Sequence, residues 1–152
     1  MGYVEDLRAI IGHRPIILNG SIVIIQNPQG EVLLQQRQYP KGTWGIPGGL
    51  MELEETTEEA ARREILEETG LTLGQLTLFG VYSGKKYLMK AKNGDLFYAV
   101  TTVYTTSEYF GDVAVTDHES ISFEWRSQEN FPTPFAKTQA DIIADYFARF
   151  KK

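Results

Sequence analysis

The stretch Gly48–Leu71 reads GGLMELEETTEEAARREILEETGL, and the rest of the chain is organised around it. A Gly-Gly turn leads through an acidic loop into one short helix. Thr56, with Glu59 three residues later, forms a capping box at the start of that helix. Gly70 suits a left-handed cap at its end. With about 100° of rotation per residue, Glu64, Glu67 and Glu68 share one face with the small Ala60. Ala61 and Ile65 lie on the flank that can pack on a core. Like charges at this spacing repel, and carboxylates in a last turn oppose the helix dipole, each by about a few tenths of a kcal/mol when exposed. The last turn has no Lys or Arg to compensate. Such a run reads either as a solvated acidic face or as a seat for a hard divalent cation held by carboxylate oxygens.

The full spacing favours the second reading. From Gly49 the chain runs Gly, five residues, Glu55, seven residues, Arg63-Glu64-Ile65, one residue, Glu67-Glu68, one residue, Gly70-Leu71. This resembles the Nudix box, G-x5-E-x7-R-E-U-x-E-E-x-G-U with U bulky and aliphatic, and every fixed position is met. Trp44-Gly45-Ile46-Pro47-Gly48 resembles the usual lead-in of that family, and the Tyr3-to-Gly12 stretch ahead of the domain resembles bacterial MutT-like members. One departure is Glu54, where many members have glycine; an altered loop shape or added negative charge is expected there, without loss of activity.

Composition bounds the answer from outside. The 152 residues, 42% hydrophobic and 23% charged, fit one globular domain across 1–152 with a real core. There is no apolar run of membrane-spanning length and no signal-peptide pattern. Cysteine is absent, so disulfides and thiolate metal sites are excluded, and a cytoplasmic location is expected. A net charge of −5 argues against broad electrostatic binding of nucleic acid, while leaving room for nucleotides delivered as metal complexes.

Working outward from the box, Tyr3 to Ile11 has helical apolar spacing and ends at Gly12. Its apolar side can pack on its own domain or on a second subunit, so a homodimer is one expectation. His13 stands alone in a linker, where a structural role is the plain reading. Ile16 to Gln26 reads as a strand buried on both faces. Asn27-Pro28-Gln29-Gly30 is a turn, so Glu31 to Arg37 is expected to pair back as a hairpin. Arg37 can hold a substrate phosphate through a bidentate contact or stand as a surface cation.

After the box, Leu73 to Ser83 reads as one interrupted strand. Gly84 to Asp95 reads as a mobile, turn-rich segment, and Leu96 to Thr106 as the longest strand. A strand at Ser122 to Arg126 follows the acidic Asp117-His118-Glu119. Phe135 to Phe150 reads as a helix with Ala136, Ala140, Ile143 and Phe147 on its buried stripe. This helix should cover one face of the sheet and the box helix the other.

The resemblance implies an α/β fold, an α/β/α sandwich with a mixed sheet and a loop-helix-loop box. It also implies hydrolysis of a nucleoside diphosphate linked to another group X, by water attack at phosphorus. Mg²⁺, with Mn²⁺ as substitute, would be held by Glu64, Glu67, Glu68 and the Gly48 carbonyl. Glu55 would sit behind the metal ligands or bond the helix, and Arg63 would orient a box carboxylate. Glu119 is the late-loop carboxylate expected to join them, with Asp117 and Glu124 as alternatives. Glu67, Glu68 or Glu119 would be the general base. Tyr39, Trp44, Tyr82 and Tyr98 are the aromatics open to base stacking, each equally open to a core role. ADP-ribose, other sugar nucleotides, dinucleoside polyphosphates, oxidised nucleoside triphosphates and capped RNA ends all remain open as substrates. A non-catalytic nucleotide-binding module is the alternative function on the same fold.

Overall fold

The computed structural model describes residues 2–150. Three helices, α1 (Tyr3–Ile11), α2 (Thr57–Thr69) and α3 (Lys137–Arg149), surround ten strands. These are β1 (Ile16–Ile25), β2 (Val32–Arg37), β3 (Trp44–Gly45), β4 (Gly48–Leu50), β5 (Thr72–Leu73), β6 (Thr77–Tyr82), β7 (Leu88–Lys90), β8 (Leu96–Thr106), β9 (Tyr109–Phe110) and β10 (Ser120–Arg126). The main sheet runs β4-β1-β8-β6, with β7 also on β8. It is mixed, because β1 and β8 are parallel while β4, β6 and β7 pair antiparallel. A second sheet, β10-β2-β3, is antiparallel, and β5 pairs with β9.

Alternation along β1 divides the core in two. Ile22 and Ile24 join Val103, Trp44, Ile142, Ile143 and Tyr146 on the α3 side. Val23 and Ile25 join Tyr104, Ala61, Ile65 and Leu71 on the α2 side. Successive side chains of a strand point to opposite faces, so the apolar run in β1 feeds both layers at once. The result is the helix-sheet-helix layering with a mixed sheet. No helix among the described residues is long and apolar enough to cross a membrane.

Four expectations are corrected. The hairpin of the first two long strands does not form: β1 and β2 enter different sheets, joined only by a bridge between Gln26 and Val32. Both strands are apolar on both faces, so either could pair elsewhere, and β1 instead takes β8 over ten residue pairs. The single strand expected from Leu73 is broken at Gly74–Leu76, and a bulge between Leu78 and Gly80 resets the alternation. The Gly84–Asp95 segment holds a 3₁₀ turn, Lys85–Tyr87, and the strand β7, with Tyr87 buried. Of the stripe expected on α3, Ala136 and Ile143 are buried and Phe147 packs on the core, but Ala140 is exposed, and Gln139, Ile142 and Tyr146 complete the buried face instead.

Candidate active site

The box helix forms as its caps dictate. Glu59 N–H donates to Thr56 Oγ1 at 3.0 Å and Thr56 N–H to Glu59 Oε1 at 2.8 Å, while Gly70 closes the helix at φ 80°. Its N-terminal turn is pinned to the sheet by Ser21 Oγ, which donates to the Thr57 carbonyl at 2.8 Å. At the other end, the loop after β9 docks on the last turn. Ala114 N–H bonds the Thr69 carbonyl at 2.9 Å, Thr116 N–H bonds Glu68 O at 3.3 Å, and the Thr116 hydroxyl bonds Glu67 O. These bonds satisfy helix-end carbonyls that otherwise lack partners, and they carry Asp117 and Glu119 up to the box.

Glu68, Asp117 and Glu119 each present a carboxylate oxygen within 4.8 Å of the others. Glu68 is 2% exposed. Its Oε1 accepts from Gly48 N–H at 2.9 Å and its Oε2 from Gln35 Nε2 at 3.2 Å. Gln35 also donates to Ser120 Oγ at 2.7 Å, and Asp117 Oδ1 accepts from Ser120 N–H at 3.1 Å. Glu64 lies against Gly49, where any Cβ would overlap its carboxyl group. Arg63 binds both Glu55 oxygens, at 2.5 and 2.9 Å, Glu64 at 2.8 Å and the Leu50 carbonyl at 3.0 Å. Glu67 is the solvent-facing box carboxylate, reaching Arg63 only at 3.4 Å.

The electrostatics follow from crowding. Burial pushes the Glu68 carboxyl well above its ordinary range, and Glu64 and Asp117 push it further. Glu64 is raised by burial, with Glu67 and Glu119 adding to it against the pull of Arg63. Burial raises Glu119 too, with Asp117 and Glu67 adding to it. Glu55 runs the other way, held low mainly by its hydrogen bond from Arg63. Carboxyls that resist ionisation because they are taken from water and, to a lesser degree, because they face one another favour a cation among them, and all their ligand atoms are the hard oxygens that Mg²⁺ and Mn²⁺ take. The donor set therefore fits a divalent metal.

Other residues lie apart or serve differently. Arg37 is no surface cation: its guanidinium stacks on Gly45, where a Cβ would come within 2.5 Å of it. Burial lowers its pKa, while Glu68 and Glu119 pull against that shift. Trp44 is 6% exposed inside the α3-side core. Tyr82 packs at the edge of the same core, and its hydroxyl donates to Asp145 at 2.7 Å. Burial and that contact raise the phenol to about 12. Glu124 pairs with Arg126, away from the cluster. His13 contacts Asp95 at 2.6 Å at the far end of α1. Glu54 takes φ 71°, so the loop keeps a left-handed turn without the usual glycine. Gln35 was not anticipated; a glutamine within the apolar run of β2 was the available signal.

Residues 18–146 match the NUDIX domain. The chain belongs to the Nudix family. Within it, an oxidized purine nucleoside triphosphate hydrolase of Danio rerio is 44% identical over 129 residues, 81% of this chain and 73% of that protein. An ADP-ribose pyrophosphatase of Methanocaldococcus jannaschii is 42% identical over 72 residues, 47% of this chain and 41% of that one. This Nudix chain spans 38% of a longer relative, an 8-oxo-dGDP phosphatase of mouse. The crystal structure of the MutT NUDIX hydrolase of Burkholderia pseudomallei superposes with a TM-score of 0.68 at 29% identity, covering 81% of this chain and 91% of that one. With an intact box and relatives named as a triphosphate hydrolase and a pyrophosphatase, this is a Nudix hydrolase.

Proposed function

We propose that this Nudix hydrolase cleaves the diphosphate bridge of a nucleoside diphosphate derivative or nucleoside triphosphate, using Mg²⁺ or Mn²⁺ held among Glu68, Asp117, Glu119 and Glu64, with Glu67 beside them. The observation that carries it is the convergence of Glu68, Asp117 and Glu119 within 4.8 Å. A divalent cation there would draw in the substrate's phosphate oxygens, activate water and stabilise the charge that builds in the transition state.

The chain's own residues do the remaining work. Gly48 N–H and Gln35 hold the two Glu68 oxygens in place. Arg63 fixes Glu64 while Glu55 fixes Arg63, an outer layer of the kind that orients metal ligands. Arg37 sets a positive charge behind Glu68 and Glu119. Glu119 is the exposed member of the cluster, so its carboxylate is assigned the proton of the attacking water. The identity to the Danio rerio enzyme favours an oxidised purine nucleoside triphosphate as substrate; ADP-ribose stands second, on the shorter archaeal match. A panel of both, with Mg²⁺ and Mn²⁺, read by nucleoside monophosphate release, tests the proposal. Release with one class is expected, and tight binding of every nucleotide without product would overturn it.

A further inference from the structure

Helix α1 lies before the residues that match the family, 18–146, yet it is tied to the box loop. Tyr3 N–H donates to Glu52 Oε1 at 2.9 Å across 49 residues of sequence. Gly2 lies alongside, where an added Cβ would sit 3.1 and 3.2 Å from the two Glu52 oxygens. Glu52 thus places its carboxylate on the positive end of α1. The other end of α1 is fastened by Arg8, which donates to the Leu96 carbonyl at 2.6 Å and approaches Asp95 at 3.5 Å.

From Glu52 the contacts run inward without a gap. Glu52 N–H donates to Glu55 Oε1 at 2.7 Å, and Glu55 holds Arg63, which holds Glu64 and the Leu50 carbonyl. Two features make the loop dependent on this tie. Glu54 sits between Glu52 and Glu55 in a left-handed conformation unfavourable for a side-chain-bearing residue. And α1 has no fully buried residue, while a cleft of about 270 Å³, lined by Tyr3, Val4, Ile17, Leu50 and Leu53 among others, opens between the helix and the loop. Side-chain packing across that gap is thin, so the hydrogen bond carries the link.

We infer that Glu52 is a positioning residue: clamped by the N-terminus of α1, it holds Glu55 and through it the Arg63–Glu64 pair in the geometry that receives the divalent cation. The cation is taken from the function proposed above; the clamp itself is read from this chain alone.

Four full-length variants test it: Glu52→Ala, Glu52→Gln, which keeps an oxygen acceptor, Tyr3→Pro, and the double variant Tyr3→Pro/Glu52→Ala. Proline at the first helical position removes the N–H and leaves the helix intact. In metal-free protein, amide exchange at Met51–Glu55 is expected to speed up in Glu52→Ala and Tyr3→Pro and to stay near wild type in Glu52→Gln. The Mn²⁺ dissociation constant, by calorimetry, is expected to rise about tenfold in Glu52→Ala and in Tyr3→Pro, as for other supports of metal ligands, and to stay near wild type in Glu52→Gln. The double variant should rise no further, because both changes break one contact. Glu52→Gln indistinguishable from Glu52→Ala would overturn the clamp. So would additive effects, or a lowered melting temperature with unmoved loop exchange and Mn²⁺ affinity. An inactive wild type whose loop still responds would overturn the hydrolase reading and leave the clamp standing. An active wild type with unresponsive variants would do the reverse.

Discussion

Glu68 concentrates the chemistry at the scale of single residues. It is buried and bonded at both oxygens, and two further carboxylates face it. Glu68→Gln keeps the shape and removes the charge. Turnover is expected to fall by about two orders of magnitude or more, the usual cost of losing a charge that stabilises the transition state; steady-state kinetics with saturating Mg²⁺ measures this. Gly49 is constrained for a different reason, because a Cβ there would overlap the Glu64 carboxyl. Gly49→Ala should therefore weaken Mn²⁺ binding by about tenfold with little change in melting temperature, as calorimetry and a thermal melt would show together. Glu54 points the other way. Held at φ 71°, it carries strain that Glu54→Gly releases, and stability should rise by about 1 kcal/mol in a urea titration.

At the scale of elements, the box helix was legible in the sequence because its start, its end and its buried flank are all local signals. Thr56, Glu59, Gly70, Ala61 and Ile65 do what their spacing implies. The late loop was only half legible. Its acidic residues were visible, but what carries them to Glu68 is a set of backbone bonds from Ala114 and Thr116 to the last carbonyls of α2, and no side-chain pattern encodes those. Thr116 contributes its hydroxyl as well, to Glu67 O. Thr116→Val should loosen this docking and reduce turnover by about tenfold, the scale of a lost support behind a metal ligand, while the α2 caps and the helix signal in circular dichroism persist.

Across the whole molecule, the illegible part was pairing over distance. The doubly apolar β1 gave no sign that its partner would be β8, some eighty residues on, instead of the adjacent β2. Apolar periodicity reports burial, and here both layers of the core satisfy it. The same layered fold crowds these carboxylates and takes them partly out of water, Glu68 most and Glu119 least, which makes stability depend on pH. Glu68, Glu64 and Glu119 have raised pKa values in the folded state, so the folded protein binds protons more tightly than the unfolded chain. Stability from these groups is full below the ordinary carboxylate range, about pH 4, and is lost as pH rises through their folded values. Glu55, held low, contributes the opposite dependence, present above that range and lost as pH falls through its folded value. In chelator, the melting temperature should therefore decline from about pH 5 toward neutrality, with a flatter slope in Glu68→Gln. Added Mg²⁺ should restore it most at the higher pH, where the carboxylates are charged and ligand binding adds to folding stability.

The convergence of Glu68, Asp117 and Glu119 makes sense physically as a seat for a divalent cation. Mn²⁺ titration of the metal-free protein, followed by calorimetry in wild type and Glu68→Gln, tests it most directly. Wild type should bind Mn²⁺ saturably, and Glu68→Gln should bind it about two orders of magnitude more weakly. Equal affinity in the two proteins, or no saturable binding by wild type, would contradict it.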